Sequence, residues 1–490
     1  MLMRALIFLH RWLGVALCVL FLVWFPSGIA MMYWDFPGVT AEMRLAHATP
    51  LKAEQVRRSP SEAWAALDEP APPARARLRT VDGRPVYRFQ LRGGERAVYA
   101  DSGETVHGVH AEQAARVASA WTGQPAQAAG VEPVDEVDQW TVAGDVRRQG
   151  PFWKYSWANG EQVYVSRTSG EVVQHTTRAS RLGAYLGAIP HWLYFTPLRK
   201  HQASWSRVVV YTSAIGAVSA LLGAIVAIAV FSPARRYRHA GGPSAIPYAG
   251  FKRWHMVIGL AAGAGAITWA YSGMLSMDPF APPPRAADTE RARQSIVHAL
   301  RGPLSLGAFD ARHPRAALAA LDAQAPAAEL ELVSIGGEPI YLVTTTSGDT
   351  RFEALDGRTV DELRVREVVR QAAGAAGIAE LRTIGEYDRY YLDRRHRLPL
   401  PVLLLRLNDS GGSRYYIDPR TARIAGSYDA AGWTSRWLYH GLHSLDFPWL
   451  YDHRPAWDIV VIAFMLAGTA LSLTSLVLAW RVVARKLRRA

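Results

Sequence analysis

Histidines at two fixed intervals are the residues of this chain best suited to chemistry. His10 and His255 lie 245 residues apart, and the same interval carries Gly14 to Gly259, Trp24 to Trp269 and Ser27-Gly28 to Ser272-Gly273. An interval of 252 carries His191 to His443, His201 to His453, Trp205 to Trp457, Phe195 to Phe447 and Tyr164 to Tyr416. One such match is noise; this many at two constant offsets mark an internal repeat. Two imidazoles on opposite sides of a planar macrocycle are what bis-histidine ligation of a b-type haem requires. His10 with His255, and His191 with His443, therefore read as two haem b sites. Gly14 and Gly259 stand one turn from their histidines on the same helical face, where a missing side chain lets a porphyrin edge approach the backbone. His201 and His453 are the alternative ligands of the second site.

Membrane helices must position these groups. Four apolar segments, 6–33, 208–231, 255–277 and 459–480, match the ~20 residues that a hydrocarbon core requires. The first reads as a retained anchor, because its apolar stretch is too long for a leader and no small-residue cleavage site closes it. Arg4 and Arg11 precede the first span, and Arg235, Arg236, Arg238, Lys252 and Arg253 lie between the second and third. Arg481, Arg485, Lys486, Arg488 and Arg489 follow the fourth. The positive-inside rule makes both termini and the middle loop cytoplasmic. The chain then divides into spans at 1–34, 207–232, 254–277 and 457–481, with a cytoplasmic loop at 233–253 and a basic tail at 482–490. Regions 35–206 and 278–456 lie outside, in the periplasm of a bacterium. Both halves run in the same direction, so the expected assembly is an α-helical four-helix bundle of two parallel repeats. Its pseudo-two-fold axis sets His10 across from His255 near the cytoplasmic face, and His191 across from His443 near the outer face.

Composition narrows the class further. With 50% hydrophobic and 20% charged residues, disorder is excluded. The net charge of +13 lies largely beside the apolar segments, which points to membrane orientation and not to nucleic acid. Cys18 is the single cysteine, so no intrachain disulfide, iron–sulfur cluster or CxxCH attachment is possible. The outside regions read as two small α+β domains. Hairpins are expected around Asp82-Gly83 and Gly336-Gly337, a strand and turn at 161–170, helices at 61–67, 111–121 and 365–376, and linkers at 70–76 and 281–287. The clusters Trp153-Lys154-Tyr155-Ser156-Trp157 and Tyr390-Tyr391-Leu392-Asp393-Arg394-Arg395 offer aromatic and basic groups to an anionic chelate, or pack the domain cores.

The segment His10-Arg11-Trp12-Leu13-Gly14 resembles the HRxxG start of the PepSY-associated transmembrane proteins, with His255 and Gly259 as a second copy. Pro190-His191-Trp192-Leu193 and Leu442-His443-Ser444-Leu445 resemble that family's LHxxL element. Residues 163–171 resemble the PepSY strand and turn, with Ser166 where Asp is usual. Residues 416–421 keep Asp418 but are followed by Ala422 in place of Gly. The family includes inner-membrane di-haem ferric-siderophore reductases. The resemblance implies two periplasmic PepSY-like domains, haem b at the matched histidines, and electron transfer across the membrane to a ferric siderophore or another periplasmic acceptor. No GxGxxG follows a strand and the cytoplasmic loops are short, so the donor would be a separate reductase, a soluble carrier or a membrane quinol. Two other classes stand beside this one: a non-enzymatic PepSY module that binds or regulates a periplasmic partner, and a transporter, which four spans without a broken helix disfavour.

Overall fold

A computed structural model describes residues 1–281, 283–321 and 325–488. Arg489, and Pro282 of the expected linker, lie outside the described residues. The chain forms two compact units: Met1–Pro37 with Arg178–Pro282 and Gly432–Ala490, and Gly38–Thr177 with Pro283–Ala431.

The first unit is built on four helices, α1 (Leu2–Tyr33), α2 (Gln202–Val230), α3 (Phe251–Leu275) and α4 (Ala456–Leu487). All four are long and apolar enough to cross a membrane. In lipid a helix satisfies every backbone polar group internally, so long apolar runs become helices even with Pro26 inside α1. The helices pack in the cyclic order α1–α2–α3–α4, which sets α1 diagonally across from α3. Small residues set how closely they approach. A methyl at Gly216 of α2 would lie 2.9 Å from the Phe21 ring, and one at Gly468 of α4 2.5 Å from Phe25. Phe21 and Phe25 of α1 thus seat in notches on both neighbouring helices.

The second unit is rich in β-structure. Its first half supplies β1 (Arg75–Val81), β2 (Arg84–Leu91), β3 (Gly94–Tyr99), β4 (Gly130–Val134), β5 (Phe152–Ser156), β6 (Gln162–Ser166) and β7 (Val172–Thr176). A small hairpin, β8 (Tyr237–His239) and β9 (Gly242–Ser244), belongs to the loop between α2 and α3. The second half supplies β10 (Ala327–Ile335), β11 (Glu338–Thr345), β12 (Thr350–Ala354), β13 (Thr359–Val360), β14 (Ile378–Ile384), β15 (Val402–Leu407), β16 (Arg414–Asp418) and β17 (Arg423–Tyr428). Both expected hairpins are present, with Asp82, Gly83, Gly336 and Gly337 all at positive φ, as tight two-residue turns require. The helices Ala111–Thr122 and Glu362–Ala373 match their expected positions within a turn.

One expectation is corrected here. Regions 35–206 and 278–456 do not form two separate domains, because they share a seven-stranded sheet of order β13-β12-β11-β10-β1-β2-β3. Strands β1 and β10 pair antiparallel with Ala76 opposite Leu332 and Leu78 opposite Leu330. A lone β1–β3 meander would leave β1 as an open edge; β10 covers it. Leu78, Tyr87, Phe89, Leu330, Leu332 and Tyr341 then form one continuous core. Residues 178–206 and 432–456 group with the helices instead. Each half also forms its own four-stranded antiparallel sheet, β4-β5-β6-β7 and β14-β15-β16-β17. The aromatic clusters at 153–157 and 390–395 serve these sheets: Tyr155, Trp157 and Tyr391 are buried in their cores.

Ion pairs fasten the outer sheets to the central one. Arg79 of β1 meets Glu171, in the turn before β7, at 2.6 Å. Glu331 of β10 meets Arg423 of β17. Arg79 and Glu331 are 252 residues apart, as are Glu171 and Arg423, so the same bridge recurs with its charges exchanged. Burial pushes the Glu171 carboxyl up, but Arg88, Arg79, Arg77 and Arg44 outweigh it and bring it from an ordinary 4.5 to about 2. A carboxyl lowered in the folded state stabilises fully above its unfolded value, and that stability is lost as pH falls through the folded value. Glu171→Gln is therefore expected to flatten the acid dependence of this unit between about pH 4.5 and 2. Hydrogen exchange of the β1 and β6 amides in the full chain reads this; a pH profile identical to the parent's would show that the pair adds no stability.

Candidate functional site

Within the helical unit, α1 and α3 bring His10 and His255 opposite one another, with ring centroids 6.1 Å and ring planes 37° apart. His191 and His443 also lie opposite one another, with centroids 6.0 Å and planes 67° apart. Metal–imidazole bonds of about 2 Å, with about 1 Å from ring nitrogen to ring centre, put trans imidazoles on a shared metal about 6 Å apart, centroid to centroid. Both pairs meet that spacing.

Each imidazole is oriented through Nδ1. His10 Nδ1 lies 2.9 Å from the Ser219 carbonyl, and His255 Nδ1 lies 3.1 Å from Thr474 Oγ1 and 3.4 Å from Ser475 Oγ. His191 Nδ1 lies 3.1 Å from the Trp24 carbonyl and 3.2 Å from Ser27 Oγ, while His443 Nδ1 lies 3.0 Å from Ser272 Oγ. A ligating imidazole characteristically has its second nitrogen bonded to an oxygen, which fixes tautomer and ring angle. With Nδ1 so engaged, Nε2 is the nitrogen that a metal would take in all four.

The His191 and His443 mounts share their construction. His191 sits on the short helix Ala188–Trp192 and His443 on Leu442–Ser444; each ends in a left-handed leucine, Leu193 at φ 54° and Leu445 at φ 53°. Leucine rarely adopts that conformation, so surrounding contacts must enforce it. Trp205 Nε1 donates to the Trp192 carbonyl at 2.7 Å, and Trp457 Nε1 to the Ser444 carbonyl at 3.0 Å. Every one of these residues has its counterpart 252 positions away.

A cavity accompanies each pair. That around His10 and His255 measures about 590 Å³ and is also lined by Gly14, Gly223 and Gly259. That around His191 and His443 measures about 260 Å³ and is lined by Trp24, Tyr194, Trp269 and Tyr439 among others. Cofactor sites commonly span about 300–1,000 Å³, so the first is ample and the second tight. A methyl at Gly14 would meet nothing within 4 Å, and one at Gly259 only Leu471 at 3.8 Å, so both glycines leave open space beside their histidines. In the smaller cavity the Trp24 indole N–H is buried without an acceptor. Buried donors are almost always satisfied, so this one suits the acceptor of a bound ligand. The donor set, spacing and glycine cradle fit a haem at His10 and His255; at His191 and His443 the donor set and spacing fit, but the cavity is tight.

His201 and His453 are exposed and line neither cavity, whereas His191 and His443 lie together beside one. Gly223 escaped sequence reading, although a methyl there would lie 2.5 Å from His10 Cε1. Its counterpart 252 residues on is Ser475, which holds His255; the interval was visible, but the residue types differ. Tyr439 and Tyr194 also carried no sequence signal. Comparison with family models, with curated proteins and with solved structures returned no match.

Two substitutions separate cradle from scaffold. Gly14→Leu should fill the larger cavity, leaving the thermal midpoint of the bundle within a few degrees of the parent while reducing haem uptake at that pair at least about tenfold. Gly223→Ala should displace the His10 ring and cost both. Thermal unfolding and absorbance titration with iron-protoporphyrin check the two; undiminished uptake in Gly14→Leu would remove the cavity from consideration.

Proposed function

We propose that this chain is a b-type haem protein of a bacterial inner membrane that carries electrons across the bilayer to a periplasmic acceptor, a ferric siderophore. The reading rests above all on two histidine pairs that each present ring centroids about 6 Å apart with Nδ1 held by an oxygen. Haem held by these four histidines would supply one-electron transfer between Fe(III) and Fe(II). In this reading the bundle comprises two parallel repeats, and the β-rich unit their PepSY-like outside regions. The recurring left-handed leucines, tryptophan hydrogen bonds and charge-exchanged bridges support that division.

The chain's own residues span the distance. Ser27, which holds His191, is 17 residues beyond His10 on α1, and Ser272 is 17 beyond His255 on α3. At 1.5 Å per residue that is about 25 Å, close to the ~30 Å of a hydrocarbon core. Phe21, Phe25 and Ala266 line both cavities, so one layer of side chains separates the two sites. These apolar groups exclude water and ions from the path. The acceptor side follows from iron chemistry: siderophores bind Fe(III) through hard oxygen ligands, and reduction to Fe(II) loosens the metal without cleaving the chelator.

The purified protein should show an oxidised-minus-reduced spectrum of low-spin b haem; a colourless, folded protein would favour a regulatory membrane module instead. His10→Ala and His255→Ala should each remove the same one of two haems, and His191→Ala and His443→Ala the other. Loss of the same haem by His10→Ala and His443→Ala would overturn the pairing. Reporter fusions after Arg238 and Lys486 should read as cytoplasmic, and those near Gly160 and Gly412 as periplasmic.

A further inference from the structure

The two cavities differ in charge. Arg11, Lys252, Arg485 and Lys486 line the cavity of His10 and His255, whereas no Lys, Arg, Asp or Glu is among the described residues lining that of His191 and His443. The four cations come from α1, α3 and α4, so their convergence is a product of the fold and not of one basic run. The Trp12 ring gathers two of them, with Arg11 at 5.9 Å and Lys486 at 5.3 Å from its centroid. Lys252 is three residues before His255, on the same side of α3. No carboxylate neutralises this end by sequence: there is no Asp or Glu at 1–34, 207–277 or 459–488. Four like charges around the mouth of an apolar chamber repel one another and create a strong site for an anion.

A porphyrin of the haem b type is amphipathic in the matching way, with an apolar disc and two carboxylates on one edge. Resting on the haem reading of His10 and His255, we propose that Arg11, Lys252, Arg485 and Lys486 form a rim that binds the two porphyrin carboxylates and fixes which edge of the disc faces the basic end of the bundle. Charge-assisted bonds to Arg and Lys are the strong class of hydrogen bond, and cavity glycines leave the disc room behind them. Cations beside the disc also favour its more electron-rich state, so this site should titrate at a higher potential than the uncharged one.

The test uses the full chain with His443→Ala, which keeps the His10–His255 pair intact. It is titrated with iron-protoporphyrin IX and with the dimethyl ester of the same porphyrin, whose carboxylates are capped. The free acid should bind at least about tenfold more tightly at low salt, with the difference shrinking as ionic strength rises. Lys252→Gln with Lys486→Gln should shrink the difference, and Lys252→Arg with Lys486→Arg should keep it, with a low-spin spectrum in every case. Equal affinity of the parent for acid and ester would overturn the rim while leaving the haem reading intact, as would be found if an anionic lipid headgroup sat there. Absence of a low-spin spectrum with either porphyrin would overturn both.

Discussion

An imidazole inside an apolar bundle must have its polar nitrogens satisfied, and this constraint organises the helical unit. Leaving a polar group unbonded in such surroundings costs several kcal/mol. Each of the four facing histidines meets the demand at Nδ1 with an oxygen from a neighbouring segment: Ser219 for His10, Thr474 for His255, Ser27 for His191 and Ser272 for His443. Those bonds tie α1 to α2, α3 to α4, and the mounts of His191 and His443 to α1 and α3. The rings that face each other across the cavities are therefore clamped from behind. Close approach by Gly28, Gly223 and Gly273 makes room for the rings where a larger residue would crowd them.

In the β-rich unit, related contacts recur at positions 252 residues apart. At positions 79 and 171 the bridge is Arg–Glu; 252 residues on, at 331 and 423, it is Glu–Arg. A salt bridge is symmetric to exchange of its ends as long as the local surroundings agree. Arg88 beside Glu171, and Arg75 beside Glu331, supply a second cation to whichever end carries the carboxylate. The bulge in each outer sheet, between Tyr164 and Val165 and between Tyr416 and Ile417, also recurs at this interval. The tyrosine hydroxyls reach Asp138 and Asp388 respectively. At the bridge the interaction is kept and the residues are exchanged; at the bulge the tyrosine is kept as well.

That observation also explains which features were legible beforehand. Identical residues at constant offsets picked out six histidines, of which the fold sets four opposite one another, and apolar run length was enough to place the four helices. Turn chemistry at Asp82-Gly83 and Gly336-Gly337 placed the hairpins. The pairing of β1 with β10 was not legible, because alternation along a strand shows which face is buried but not which edge finds a partner. Gly223 and Ser475 were hidden because the residue types at these positions, 252 apart, differ. Tyr439 lies on a π-helical turn, Thr434–Gly441, a geometry whose side-chain directions follow neither helical nor strand periodicity.

On the proposed reading, the charge difference between the cavities sets the direction in which work is done. Cations around His10 and His255 raise the electron affinity of the basic end, so passing an electron toward His191 and His443 opposes the protein's own field. A bacterial membrane that is negative inside pushes electrons outward, by about 2.3 kcal/mol per charge per 100 mV. The two effects oppose each other across the same ~25 Å of α1 and α3. On that reading, the balance of the two would set at which pair an electron rests. Coupling of this kind needs no moving part. It requires only that the wall of Phe21, Phe25 and Ala266 keep ions and water from short-circuiting the field between the sites, and its apolar composition provides that barrier.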